Sequence, residues 1–265
     1  MAFAHHQDLD LYFEDIGTGT PVVLGHSFLC SGKMWREQVP ALAGKCRVIN
    51  PDLRGHGRSS DVNRPFSLYD AVLDVAAVLD QLSIGRAIWC GLSIGGMVAL
   101  RAALTCPERV SALILLDADA GAETALRKLK YLAMGVGARA LGVSPFLAPI
   151  SRLMFGATTR RQNPALVREW KKEFAGVRVP SVLLCLDALM RRDSLLPRLG
   201  QINVPALVLV GEEDRSLPPP LSRRLHTLLR DSTFAVIPAA GHLSALEQPA
   251  AVTESILSFL EAQAN

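Results

Sequence analysis

This chain of 265 residues lacks what several large classes of protein require. Its five cysteines, Cys30, Cys46, Cys90, Cys106 and Cys185, are odd in number, widely spaced and without a C-x-x-C pair. That spacing argues against a disulfide framework and a zinc site, and it fits free thiols in a reducing compartment. Long hydrophobic runs are also missing. The longest stretch without Lys, Arg, Asp or Glu, residues 16–32, is broken by Gly17, Gly19, Pro21 and Gly25, so it cannot cross a bilayer as one helix. The opening residues, Met1-Ala2-Phe3-Ala4-His5-His6-Gln7-Asp8, show neither a cationic start nor an apolar stretch after it. No signal peptide is expected from them, and a cytoplasmic location is the expectation. Nor does charge of one sign dominate. With 28 basic residues against 25 acidic, the net charge is only +3. That balance speaks against nucleic-acid binding as the main activity, which needs a concentrated basic face. No repeat or low-complexity tract is present.

What the chain does have is a hydrophobic fraction of 49% with mixed charge, enough for a sizeable folded core. Residues 9–16 alternate apolar and polar side chains and end at Gly17-Thr18-Gly19, as a hairpin strand does. Short continuous apolar runs follow at 22–24, 47–50, 87–90, 112–116, 206–210 and 234–237, the pattern of parallel strands buried on both faces. Amphipathic stretches lie between them. The clearest, 67–82, places Leu68, Val72, Val75, Val78, Leu79 and Leu82 on one face behind a Ser67…Asp70 capping box. Helical patterns also fit 97–104, 219–229 and 250–262. This alternation predicts an α/β fold, a doubly wound parallel sheet with crossover helices. Residues 122–198 break the alternation, and here about four helices are expected, separated by Gly and Pro. The predicted division is a core of 1–121 and 199–265 with a helical insertion at 122–198.

The strongest chemical signal is Gly91-Leu92-Ser93-Ile94-Gly95-Gly96, placed between an apolar run and a helical pattern. G-x-S-x-G in that context is a nucleophile elbow: the tight turn needs glycines at 91 and 95 and lifts Ser93 above the sheet edge. A serine needs a base. Of six histidines, His5 and His6 fall on an N-terminal strand, His226 lies within a helical pattern, and His56 sits between two loop glycines. His242, in the loop after the last strand run, is the expected base. For the orienting acid, Asp214 in Gly211-Glu212-Glu213-Asp214 is preferred, with Asp117 and Asp119 as competitors past another strand. The order Ser93, Asp214, His242 is that of α/β-hydrolases.

Over nearly its whole length the chain resembles an α/β-hydrolase fold enzyme. The resemblance rests on Val23-Leu24-Gly25-His26-Ser27-Phe28, Asp52-Leu53-Arg54-Gly55-His56-Gly57-Arg58-Ser59, the Gly91–Gly96 motif, Gly211-Glu212-Glu213-Asp214 and Ala240-Gly241-His242. It implies a mostly parallel eight-stranded sheet and a serine hydrolase of carboxylic esters or lactones, with an acyl-enzyme on Ser93 and an oxyanion hole formed by the N–H groups of Phe28 and Ile94. Leu29 is the alternative to Phe28. Ser27, where the family commonly has glycine, together with Met34-Trp35, resembles the enol-lactonase branch. That likeness is partial, since His26 stands where the branch has asparagine and Phe28-Leu29 replaces Leu-Gly. A serine at position 93 disfavours epoxide hydrolases and haloalkane dehalogenases, whose nucleophile is aspartate. The same triad also serves C–C bond hydrolases and cofactor-free perhydrolases, and the fold also serves as a ligand-binding receptor.

In the family, an insertion such as 122–198 caps the pocket. Phe28, Leu29 and Trp170 are the expected substrate contacts. Tyr131, Phe146, Phe155 and Phe174 fit packing or pocket lining. No metal or organic cofactor is implied. The insertion carries 14 basic and 5 acidic residues, and the remainder 14 and 20. That asymmetry raises the expectation of an anionic small-molecule substrate.

Overall fold

The computed structural model describes residues 2–264. Its eight strands are β1 (Ala2–His6), β2 (Leu9–Ile16), β3 (Pro21–Gly25), β4 (Arg47–Pro51), β5 (Ala87–Leu92), β6 (Val110–Leu116), β7 (Ala206–Gly211) and β8 (Ser232–Ile237). They form one sheet in the order β1-β2-β4-β3-β5-β6-β7-β8. The β1–β2 and β2–β4 pairs are antiparallel and all others parallel, so β2 alone runs against the rest. The helices are α1 (Gln38–Ala43), α2 (Leu68–Gln81), α3 (Ile94–Thr105), α4 (Ala125–Leu141), α5 (Leu147–Met154), α6 (Ala157–Gln162), α7 (Pro164–Ala175), α8 (Val179–Arg191), α9 (Pro219–Leu228), α10 (Ser244–Glu247) and α11 (Pro249–Ala264).

The apolar runs become strands because both of their faces are covered. Along β5, β6 and β7 alternate residues enter two separate cores. Trp89, Leu113, Leu115 and Val208 join α2, α3 and α9 on one side. Ile88, Cys90, Ile114, Leu116 and Leu209 join α1 and α11 on the other. Period-two burial on both faces makes the central strands read as continuous hydrophobic sequence. Helix α2 starts where its capping box places it. Asp70 Oδ2 accepts from Ser67 N–H at 2.7 Å, and Ser67 Oγ accepts from the Asp70 N–H. Such a cap contributes about 1 kcal/mol.

Between β6 and β7 the chain forms five α-helices, α4 to α8, rather than the four expected. One of the breaks falls at Asn163-Pro164, where the Asn163 side chain accepts from Leu166 N–H and Pro164 opens α7. Proline at a first helical position loses no hydrogen bond, so it starts a new helix cheaply.

The strand order fixes where a site can form. From β3 the chain winds to β4 on one side, and β5 then pairs with β3 on the other. The crevice at such a reversal, beyond the carboxyl ends of the strands, is where open α/β sheets bind ligands. The loop after β3 and the turn after β5 meet at this point. Their approach depends on glycine. A Cβ on Gly95 would stand 2.2 Å from the Gly25 carbonyl oxygen, and one on Gly91 would stand 2.2 Å from the Gly95 carbonyl carbon. The clash at 95 is thus with strand β3, whereas the clash at 91 is with the elbow's own helix. Gly95→Ala is expected to destabilise the protein by about 3 kcal/mol or more, since backbone on both sides must move. Urea unfolding checks this, and an unchanged midpoint would contradict it.

Candidate active site

Ser93 ends β5 and caps α3 with φ +56° and ψ −113°, a conformation that costs a non-glycine residue about 1–3 kcal/mol. The surrounding structure holds it there: Ser93 N–H donates to Leu116 O at the end of β6, and Ser93 O accepts from Met97 N–H. Its hydroxyl oxygen lies 2.9 Å from His242 Nε2. His242 Nδ1 lies 2.8 Å from Asp214 Oδ2. Asp214 Oδ1 accepts from the N–H groups of Ser216 at 2.7 Å and Leu217 at 2.9 Å. These bonds orient the carboxylate, so Nδ1–H donates to it and leaves Nε2 an acceptor toward Ser93. The three side chains predicted from sequence are therefore brought into one hydrogen-bonded line, with relative exposures of 7%, 2% and 3% for Ser93, His242 and Asp214.

The two competing carboxylates go elsewhere. Asp117 accepts from Gly211 N–H at 2.7 Å and from Ser244 Oγ–H at 2.5 Å, tying the end of β7 to the start of α10. Burial, and then the nearby Asp214 charge, push the Asp117 carboxyl well above the usual carboxylate range. Asp119 accepts from Gly121 N–H and faces Arg192 at 3.6 Å. Glu213 holds the start of α6 through Thr158, and Glu212 accepts from Ala239 N–H. For His242, burial opposes the imidazolium, but Asp214, and after it Asp117 and Glu247, outweigh that effect and raise its pKa above 6.5.

The other histidine motifs build the scaffold. His26 donates from Nδ1 to Ser27 O at 2.8 Å and accepts at Nε2 from Leu53 N–H at 2.9 Å, pinning the loop after β3 to the loop after β4. Burial lowers its pKa to about 4. His56 donates to Arg54 O and is lowered to about 3 by burial and by His26. Asp52 accepts from Gly32 N–H at 2.6 Å and from Arg58 N–H at 2.8 Å. Gly57, at φ +52°, lies so close that a Cβ would meet Asp52 Oδ2 at 2.1 Å. The Asp52–Ser59 motif therefore braces the loop that carries Phe28. Ser27 is fully buried, with its N–H on Met34 Sδ at 3.2 Å, and Met34 and Trp35 are core residues.

Ser93, His242, Ser27, Phe28 and Leu29 line a cavity of about 130 Å³. Phe28 stands at its wall, and Ile94 is the buried first residue of α3 directly after Ser93. Among the described residues, the N–H groups of Phe28, Leu29 and Ile94 have no hydrogen-bond acceptor within the protein. Met97, Ser216 and Leu217 add to the wall, and most of the rest comes from the helices between β6 and β7. Arg127, Tyr131, Met134 and Ala138 of α4 recur at helical spacing, a signal present in the sequence but not used as one. Val182 and Leu186 of α8 and Phe146 before α5 complete the apolar lining.

One expectation is corrected here. Trp170 does not line this cavity. Its indole is 1% exposed and packs on Phe174, which in turn packs on Phe155, because α7 lies behind the wall rather than in it. Of the five aromatic residues considered, only Tyr131 and Phe146 reach the cavity. The basic surplus of the insertion also fails to supply an uncompensated cation. Arg192 and Arg127 reach the wall, but so does Glu123. Arg192 donates to Glu123 at 3.0 Å and faces Asp119, and Arg127 lies 4.0 Å from the same Glu123. Among the described residues no cluster of His, Cys, Asp and Glu suited to a metal ion is found, and no helix is long and apolar enough to cross a membrane.

Comparison with known proteins agrees with this fold. The family model described as "alpha/beta hydrolase fold" matches residues 20–249. The pimeloyl-[acyl-carrier protein] methyl ester esterase of Pectobacterium carotovorum is 30% identical over 95% of this chain and 99% of its own. 3-Oxoadipate enol-lactonase 2 of Acinetobacter baylyi is 28% identical over 94% of this chain and 92% of its own. A thermophilic esterase from Thermogutta terrifontis, solved with malate bound, superposes with a TM-score of 0.92 at 30% identity, covering 96% of this chain and 94% of its own. Such relatives support an enzyme that hydrolyses esters or related bonds in small molecules. With the family model spanning most of the sequence and the eight-stranded sheet in place, the chain belongs to the α/β-hydrolase fold family.

Proposed function

We propose that the protein is a serine hydrolase of carboxylic esters or lactones, with Ser93 as nucleophile, His242 as general base and acid, and Asp214 as the orienting carboxylate. The observation that carries this reading is the continuous Ser93–His242–Asp214 line, at 2.9 and 2.8 Å, ending on the cavity. His242 Nε2 takes the Ser93 proton as Oγ attacks the carbonyl carbon. The oxyanion is received by the N–H groups of Phe28 and Ile94, both without an acceptor among the described residues. Collapse of the tetrahedral intermediate breaks the bond to the leaving alcohol, which departs with the proton from His242. Water, deprotonated by the same nitrogen, then releases the acid and restores Ser93. Asp214 keeps the proton on Nδ1 and stabilises the imidazolium as it forms.

In this reading residues 122–198 are a cap on a core made of 1–121 and 199–265, and Phe28 and Leu29 touch the substrate. The apolar wall and the paired arginines favour a neutral apolar acyl group over a carboxylate-bearing one. The relevant experiment is a turnover panel of matched esters, lactones, C–C bond substrates and peracid formation from hydrogen peroxide. Neutral esters or lactones are expected to give the highest kcat/KM, and adding a carboxylate is expected not to raise it. Preferred peracid formation or C–C cleavage would replace the ester reading while keeping the triad. Tight ligand binding with no turnover of any class would replace it with a receptor.

The raised pKa of His242 also makes a pH prediction. The base must be neutral, so kcat/KM should rise with unit slope from the acid side and level off above an apparent pKa higher than 6.5. A plateau already reached below 6.5 would show that the imidazolium is not stabilised as described.

A further inference from the structure

Helix α4 has two apolar faces, and only one of them is covered. Among the described residues, Leu126 is 80% exposed, Leu129 65%, Leu132 56%, Val136 64% and Leu141 68%, half of the large apolar side chains exposed anywhere on the molecule. At about 100° per residue, Leu126, Leu129, Leu132, Ala133, Val136 and Ala140 fall within an arc of about 120°. Tyr131, Met134 and Ala138 lie on the opposite side and line the cavity. A row of bulky side chains with no packing partner marks an interaction surface.

Charge identifies the occupant. Helix α4 carries Arg127, Lys128, Lys130 and Arg139 and no acidic residue. Lys128 and Arg139 border the apolar arc on one edge and Lys130 on the other, all exposed. An apolar stripe edged by cations suits a helix lying in the plane of an anionic lipid surface, its leucines among the acyl chains and its ammonium groups at the phosphates. Two copies joined stripe to stripe would instead bring these three cations from each chain into one seam, with no acid of α4 between them. We propose that α4 docks the protein on an anionic lipid surface. The helix lies on the membrane and does not span it. Because its other face is a wall of the cavity, docking places that cavity beside the lipid phase. The consequence for substrate delivery, entry of esters already partitioned into lipid, rests on the hydrolase reading, whereas the docking does not.

Co-sedimentation with vesicles tests the docking without reference to turnover. The full chain is expected to pellet with vesicles of equal parts phosphatidylcholine and phosphatidylglycerol, and to be released by high salt. Leu126→Ser/Leu129→Ser/Val136→Ser should lower the partition coefficient by about a hundredfold or more. Lys128→Gln/Lys130→Gln/Arg139→Gln should lower it roughly a hundredfold, at about fivefold for each cation. Both variants should keep the wild-type thermal unfolding, because all six side chains point away from the fold. Wild-type protein that stays in the supernatant, or binding that survives the serine substitutions, would overturn the proposal. So would a solution dimer abolished by the same serine substitutions, which would assign the stripe to a second copy of the chain.

Discussion

Ser93→Ala is expected to lose about 10⁴- to 10⁶-fold in kcat on the best ester while keeping its circular dichroism and unfolding midpoint. The fold should survive because alanine keeps the Cβ and only Oγ is lost. Backbone strain at 93 is unchanged, and Ser93 N–H still donates to Leu116 O. Activity should not survive, because His242 then has no hydroxyl to deprotonate. Adding His242→Ala to this variant should cost little more, since nucleophile and base act as one unit. A further large loss in the double variant would mean that His242 works independently of Ser93. Steady-state kinetics of the two single variants and the double variant decide the point.

Asp214→Asn should lower kcat by about 10⁴-fold, whereas Asp117→Asn should cost less than about tenfold. Both carboxylates are buried at the ends of neighbouring strands, so burial alone does not separate them. Their hydrogen bonds do. Asp214 Oδ2 receives His242 Nδ1–H, and an asparagine amide there would offer a proton instead, turning Nε2 into a donor that cannot accept from Ser93. Asp117 has Gly211 N–H and Ser244 Oγ–H as partners and makes no hydrogen bond to His242. A larger loss at position 117 than at 214 would move the orienting role to the end of β6. Replacing both should resemble Asp214→Asn alone.

Much of this arrangement was legible in the sequence because each signal rests on local physics. The strands of the central sheet read as short apolar runs because both faces are buried. The elbow read as G-x-S-x-G because backbone at 25, 91 and 95 comes too close for side chains. His242 could be reached by elimination because its rivals fall on strands, helices or bracing loops. Other features depend on distances that spacing does not encode. Asp214 and Asp117 follow adjacent strands, and only the folded turns show which of them faces the imidazole. Helix α3 begins at Ile94, three residues before the apolar pattern that predicted it, because the elbow forces helix at Gly95-Gly96 against their low intrinsic preference.

The insertion was the least legible part. Its helices have apolar residues on more than one face, so the sequence could not say that Tyr131 and Phe146 reach the cavity while Trp170 does not. Of its 14 basic residues, only Arg127 and Arg192 line the cavity. The two arginines that reach the cavity share Glu123, and the other cations of α4, Lys128, Lys130 and Arg139, border an outward-facing stripe.

The central claim, that Ser93 is a nucleophile activated by His242, is tested most directly by covalent capture. The native enzyme treated with a fluorophosphonate should gain the mass of a single phosphonyl group, located by peptide mapping on Ser93. Labelling should be abolished in Ser93→Ala and strongly slowed in His242→Ala. An unlabelled wild-type protein, or a label that persists in Ser93→Ala, would contradict it.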